Sequence, residues 1–232
     1  MNLSMIELSR LLIAFVPVVL VIGIMWHWRL QPGKASWAML RMLVQLLLIG
    51  YVLVFIFEAQ SSLIVIAVIL VMISASSWIA LNTISEQRKS LYFITLISVG
   101  IGGSLTLALI TQLVLELETW FEPRYLIPLA GMTFANAMTS VSLAAERLYA
   151  ELKHGHSFID SRNIAFQAGM IPVINSLFAV GLVSLPGMMT GQILSGVSPF
   201  IAARYQIMVM CMIFASAGLS TYGFLFLVQR KH

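Results

Sequence analysis

A group of side chains near position 186 could bind a cation as it crosses a membrane. Two thioethers and two oxygen-bearing side chains surround a Pro-Gly pair within a long apolar stretch: Ser184, Pro186, Gly187, Met188, Met189 and Gln192. Thioether and oxygen ligands suit a soft or borderline metal ion. Methionine is also a common filler of irregular apolar gaps, so core packing remains the alternative interpretation of Met188 and Met189.

The Pro-Gly pair itself predicts an interruption of the helix. Proline removes a backbone donor and glycine relaxes the backbone, so we expect a break or kink at Pro186. Broken helices at membrane depth persist only where protein or a water-filled cavity satisfies the freed backbone groups, which favours a transport pathway or gate. Gly187 and Gly191 also form a G-x-x-x-G step that could close a helix interface, such as the seam of a symmetric dimer.

Three further polar residues lie inside apolar stretches. Arg41 and Gln45 are four residues apart and share a helix face. An arginine at the centre of a span costs about 2.5–3.5 kcal/mol. Arg41 either extends its guanidinium to the headgroups or, with Gln45, lines a vestibule or clamps another span. Asn136 lies beside a repeat of small residues, for which close helix packing is the simpler explanation: Gly131, Ala135 and Thr139.

The composition places these residues in a bilayer. Of 232 residues, 60% are apolar and 9% charged, against about 45–50% and 25% in an ordinary soluble domain. The basic residues are too few for a nucleic-acid interface. We predict an all-α, polytopic membrane protein whose residues 1–232 form a single transmembrane domain. A span needs about 20 residues, and seven are predicted: 11–28, 37–57, 61–81, 91–115, 125–145, 171–195 and 205–228.

Charge patterning predicts the orientation of these spans. The connections alternate between basic and acidic, and most Lys and Arg outside the spans fall on one side. The exceptions on the other side are Arg10, Arg124 and Arg204. By the positive-inside rule the N-terminus lies outside and the C-terminus lies in the cytoplasm.

The longest hydrophilic stretch, 146–169, is then cytoplasmic. We expect the fifth helix to continue through Lys153, to break at 154–156 and to restart at Ser157, whose hydroxyl can cap a new helix with Asp160 three residues on. This short amphipathic helix would lie on the membrane surface or insert into a groove of a cytoplasmic partner. The chain contains no G-x-x-x-x-G-K-[ST] phosphate loop, so any ATP-derived energy must come from another chain.

Four stretches of the sequence together resemble one known family. They are Arg41, Gln45, Gly50 and Tyr51; residues 127–132 with 136–138; residues 180–192; and residues 204–207. The chain resembles the FetB-type permease subunits of bacterial ABC transporters, which are similar to a plant permease subunit associated with aluminium tolerance. It departs from the expected pattern in a shorter cytoplasmic loop and at Phe178, Ala179 and Ser198.

The resemblance implies a homodimeric permease in the bacterial inner membrane that exports iron or another metal ion. It also implies a separate cytoplasmic ABC ATPase subunit that uses ATP and Mg²⁺, with no cofactor and no enzyme activity in this chain. On this hypothesis the pathway residues are Arg41, Gln45, Asn136, Ser184, Pro186, Gly187, Met188, Met189 and Gln192. The residues that couple to the ATPase are Glu146, Arg147, Phe158, Ile159 and Arg162.

Three alternatives come from different classes. The plant relatives are linked to a nucleotide sugar, which would make this an ABC permease for another substrate. A partner-free carrier driven by an ion gradient usually needs carboxylates or histidines at membrane depth, and the predicted spans contain almost none. A membrane enzyme is disfavoured because no nucleophile-base pair or metal-ligand cluster is recognisable.

Overall fold

The described chain is helical. The computed structural model describes residues 7–58 and 61–231, and within them the only β-type pairing is an isolated bridge between Val180 and Ser184. The α-helices are α1 (Leu8–Ile13), α2 (Val16–His27), α3 (Pro32–Glu58), α4 (Ser62–Ala80), α5 (Arg88–Leu109), α6 (Pro123–Lys153), α7 (Phe158–Ala179), α8 (Gly187–Leu194) and α9 (Pro199–Gln229). A 3₁₀ segment, Leu81–Gln87, joins α4 to α5, and a π-helical turn, Ile110–Val114, follows α5. The predicted all-α class is confirmed.

Several of these helices are long and apolar enough to cross a membrane. In the described part of the chain they form five segments: Ser9–His27, Pro32–Glu58, Ser62–Val114, Pro123–Lys153 and Pro199–Gln229. The third segment contains both α4 and α5. Helix α7 is not among the five, and it contains Asp160, Arg162 and Gln167. The chain is therefore a multi-pass membrane protein, while the count of seven spans and the orientation stay predictions.

The chain divides into two compact units, residues 1–60 and 61–232. In the first unit, α2 and α3 pack together as an antiparallel helical pair joined by a short turn near Arg29. A shallow apolar groove of about 600 Å³ runs between these two helices. No described side chain of α2 is buried, so most of its apolar surface is open to its surroundings.

The second unit is built around its two 31-residue helices, α6 and α9. Helix α6 packs against α4, α5, α7 and α9, and α9 also packs along α5. Phe134 of α6 and Phe224 of α9 are among the largest fully buried side chains. The core of this unit therefore lies where α5, α6 and α9 meet.

Small residues allow these helices to approach closely. A Cβ atom added to Gly102 in α5 would lie 2.6 Å from the hydroxyl oxygen of Ser220 in α9 and 2.8 Å from its backbone nitrogen. In the same way, a Cβ at Gly169 in α7 would lie 2.6 Å from the carbonyl oxygen of Ser140 in α6. Such backbone-to-backbone contact is the usual basis of helix association in lipid.

The contact at Gly102 can be tested with a neighbouring glycine as its control. A Gly102→Ala substitution must push α5 away from the α9 backbone, and we expect it to destabilise the protein by about 1–3 kcal/mol. A Gly100→Ala substitution gains the same helix propensity but meets only an ordinary contact, 3.5 Å from Ile73. Thermal unfolding of the two variants in detergent should show a lower midpoint for Gly102→Ala alone. Equal midpoints would contradict the packing described.

Candidate functional site

Several helix ends of the second unit meet at one end of the bundle. The Lys231 ammonium donates to the Ser90 carbonyl oxygen at 2.9 Å, and the Thr83 hydroxyl donates to the Ser142 carbonyl oxygen at 3.3 Å. This end, which we call the basic end, carries Arg88, Lys89, Arg147, Lys153, Arg162, Arg230 and Lys231 against Glu86, Glu146, Glu151 and Asp160. It therefore has an excess of positive charge.

The turn between α6 and α7, residues 154–157, lies at the basic end. Helix α6 ends at Lys153, and Gly155 adopts a φ of +85°, which a glycine accommodates without strain. The Ser157 hydroxyl accepts a hydrogen bond from the Asp160 backbone amide at 3.2 Å. The predicted break and cap are thus present. The prediction of a short amphipathic helix is wrong, because α7 continues for 22 residues to Ala179.

A buried carboxylate that the sequence analysis missed holds this turn. The Glu151 side chain is only 8% exposed, and its two oxygens lie 2.6 Å from Arg147 Nη2 and 3.6 Å from His156 Nε2. The His156 backbone amide also donates to the Glu151 carbonyl oxygen at 3.3 Å. The four-residue spacing of Arg147 and Glu151 predicts an ion pair along α6. His156, by contrast, comes close to Glu151 only because the chain turns after α6. Glu151 therefore joins the turn to the end of α6.

The five predicted coupling residues differ in exposure and in the contacts that they make. Glu146 is exposed, and Ile159 has 57% of its side chain exposed on the first turn of α7. Phe158 packs against the core, and Arg147 is held by Glu151. The half-buried Arg162 donates to the Gln229 side-chain oxygen of α9 at 3.2 Å. Only Glu146 and Ile159 are thus free to contact another protein through most of their side chains.

The second predicted site lies at the opposite ends of α7 and α9. The predicted span 171–195 is not one continuous helix, because α7 ends at Ala179 and α8 begins at Gly187. Between them the Gly181 amide donates to the Ser184 carbonyl oxygen at 3.0 Å, and the Ser184 amide donates to the Ala179 carbonyl oxygen. The break is therefore wider than predicted and begins before Pro186. Proline can stand there as the N-cap of α8, since its missing donor is not needed.

The predicted pathway residues around this break differ in their surroundings. Met188 is half-buried and packs against the core, whereas Ser184 is exposed. The side-chain oxygen of Gln192 is buried, and it has no hydrogen-bond partner in the described part of the chain. A Cβ atom at Gly187 or Gly191 would meet no heavy atom within 4 Å, so their G-x-x-x-G face is open.

The remaining pathway candidates are on α3 and α6. Asn136 donates to the Met132 carbonyl oxygen of its own helix at 2.8 Å, while Ala135 and Thr139 beside it are exposed. Arg41 and Gln45 are exposed on α3, which belongs to the first unit. The roles proposed for these residues stay predictions.

The function of Glu151 as a brace can be measured by limited proteolysis. A Glu151→Gln substitution removes the charge that Arg147 and His156 share, at an expected cost of about 1–3 kcal/mol. We expect trypsin to cleave after Lys153 several times faster in this variant, because the turn 154–157 opens more often. Glu86→Gln removes an exposed carboxylate at the same end and should cleave as the wild type does. Equal rates in all three proteins would contradict the brace.

The profile of the family described as Uncharacterised protein family (UPF0014) matches residues 8–162 and 154–232. The chain is 32% identical to the probable iron export permease protein FetB of Escherichia coli, over 100% of this chain and 94% of the relative. It is 33% identical to the protein ALUMINUM SENSITIVE 3 of Arabidopsis thaliana, over 90% and 81% of the two chains.

A UPF0014 membrane protein of Synechocystis is 33% identical over 89% of this chain and 86% of its own length. No solved structure matches the chain significantly. The family profile and the alignment with the Escherichia coli relative both cover the basic end and the break between α7 and α8. The chain therefore belongs to the UPF0014 family of membrane proteins.

Proposed function

We propose that this chain is the permease subunit of an ABC transporter that exports iron or another metal ion across the bacterial inner membrane. The observation that carries the proposal is its 32% identity to the probable iron export permease of Escherichia coli along the whole chain. The Arabidopsis relative, named for sensitivity to aluminium, supports a metal as the substrate. The nucleotide-sugar alternative has no comparable support in the chain.

A separate cytoplasmic ATPase supplies the energy in this proposal. The sequence has no phosphate loop, and the basic end presents the turn 154–157 between two long helices. The positive-inside rule places this end in the cytoplasm, where an ATPase can reach it. Movement of the partner is transmitted first to α6 and α7, since Glu151 fixes the turn to α6 and Ser157 caps α7.

Two copies of the permease form the pathway in this proposal. The exposed Ala135 and Thr139 give α6 a small-residue face, and Gly187 and Gly191 give α8 another. Small faces of this kind allow a helix from a second copy to approach closely in lipid. Side chains around the break supply oxygen and thioether ligands to a passing ion: Ser184, Met188, Met189 and Gln192.

An exposed apolar side chain at the turn provides the sharpest test of ATPase coupling. Ile159 is exposed at the start of α7, so Ile159→Asp should fold normally while placing a charge in an apolar contact. We expect the stimulation of the co-purified ATPase by the permease to fall at least about tenfold. This is the size of effect produced by substituting a hot-spot residue in a protein interface. The measurement is metal-stimulated ATP hydrolysis in proteoliposomes.

Two control variants separate coupling from general damage. Ile159→Val keeps the apolar contact, and Thr119→Asp adds the same charge in the 115–122 connection, at the end of α6 opposite the turn. Both should retain stimulation. Metal transport by the purified permease in proteoliposomes without any ATPase would refute the proposal and favour a secondary carrier.

A substitution of Gln192 tests whether its unpartnered side-chain oxygen contacts the transported ion. Gln192→Leu removes no hydrogen bond within the described chain, so we expect little change in stability. If this oxygen contacts the ion, metal export should slow about tenfold, the effect of losing about 1.4 kcal/mol of binding. Gln112→Leu is the matched control, since the Gln112 amide is exposed and, among the described residues, bonds only to its neighbour Thr111 at 3.3 Å. Unchanged export by Gln192→Leu would exclude this role.

A further inference from the structure

A groove lies between α7 and α9 at the basic end, and Arg162 is the one predicted coupling residue that lines it. Its volume is about 550 Å³, and it runs along the first turns of α7 and the last turns of α9. We call it the α7–α9 groove. Aromatic rings and polar side chains both line it: Phe166, Tyr222, Phe226, Arg162, Asn163 and Gln229.

The polar part of this groove has an uncompensated positive charge. The half-buried Arg162 donates to the side-chain oxygens of Gln229 and Asn163, each at 3.2 Å, and both acceptors are neutral. Arg230 is not a lining residue, but its guanidinium carbon lies at the edge of the groove, 4.7 Å from the centre of the lining Phe226 ring. Neither arginine forms a salt bridge in the described part of the chain, and no lining residue is acidic. The groove therefore lacks the anion that would balance these two cations.

The apolar part of the groove continues along the surface of α9. Tyr222 and Phe226 stack with their ring centres 5.9 Å apart, and 61% of Tyr222 and 38% of Phe226 are exposed. Positive charge lies at the helix ends, and exposed rings follow it for more than one helical turn along α9. An amphiphile with an anionic head and an apolar chain has the same order of groups.

We propose that the α7–α9 groove binds an anionic phospholipid, with its phosphate against Arg162 and Arg230 and an acyl chain along Phe226 and Tyr222. The inference goes beyond the proposed transport function, since it depends on the charge and shape of the groove and on the chain being a membrane protein. A soluble phosphate could satisfy the two arginines, but it would leave the adjoining rings exposed. The lipid satisfies both parts and holds α7 against α9.

Charge removal tests the site directly. Wild-type protein is reconstituted in an equimolar mixture of phosphatidylcholine and phosphatidylglycerol, extracted in mild detergent, and examined by native mass spectrometry for retained lipid. An Arg162→Gln/Arg230→Gln variant should retain at least about tenfold less phosphatidylglycerol, since each arginine at a membrane surface contributes appreciably to anionic lipid binding. Lys89→Gln/Lys153→Gln removes the same charge from the same end and should retain the wild-type amount.

A second variant keeps the proposal testable if the double variant folds poorly. Asn163→Asp places a carboxylate beside Arg162, whose guanidinium already bonds to this side chain. The variant should fold at least as stably as the wild type and still lose phosphatidylglycerol. Ser85→Asp adds the same charge in the 3₁₀ segment and should retain the lipid.

Three outcomes would overturn the proposal. Equal retention by wild type, the Arg162→Gln/Arg230→Gln variant and Asn163→Asp would mean that the groove holds no lipid. Equal loss of phosphatidylglycerol from the Lys89→Gln/Lys153→Gln variant and from the Arg162→Gln/Arg230→Gln variant would mean that only general surface charge attracts the lipid. Displacement of the retained lipid by inorganic phosphate would indicate a site for small anions.

Discussion

Helices in a lipid environment gain little from burying apolar side chains against each other, because the surrounding hydrocarbon is equally apolar. The second unit depends instead on close contact between backbones. Gly102 leaves room for Ser220 of α9, and Gly169 leaves room for the Ser140 carbonyl of α6. These contacts bring α5 close to α9 and α7 close to α6. The basic end and the break between α7 and α8 lie at the ends of these helices, so their geometry follows from the same packing.

Two of the four arginines at the basic end, Arg88 and Arg162, bond to neutral oxygens. Arg88 donates to the Trp78 carbonyl oxygen and to Asn82, and its guanidinium lies 4.1 Å from the centre of the Trp78 ring. Arg162 bonds to Gln229 and Asn163 in the same manner. Such contacts fix the side chains without neutralising them. The end keeps a positive surface for an anionic partner or headgroup, whereas Arg147, paired with the buried Glu151, has a bracing role.

The sequence allowed the fold class and the start of α7 to be predicted, because both depend on local signals. Apolar stretches of span length identify membrane helices, and Ser157 with Asp160 identifies a cap wherever the chain places it. The length of α7 was missed, since its polar Asp160, Arg162 and Gln167 resemble a loop or surface helix in a one-dimensional reading. The partner of Arg162, Gln229, comes from the far end of the chain. The brace at Glu151 was missed for a related reason, because His156 reaches it only after the turn has formed.

The wide break between α7 and α8 has a physical consequence for how this unit can move. A helix that merely kinks at a proline leaves freed carbonyl groups, which must find new partners whenever the angle changes. Here the segment 180–186 forms its own hydrogen bonds, from Gly181 to Ser184 and from Ser184 and Val183 to Ala179. None of these bonds involves α8, so a change in its angle to α7 would leave them in place. Because α8 carries Met188 and the unpartnered Gln192, a rotation about this turn would move those side chains without breaking the longer helices beside them.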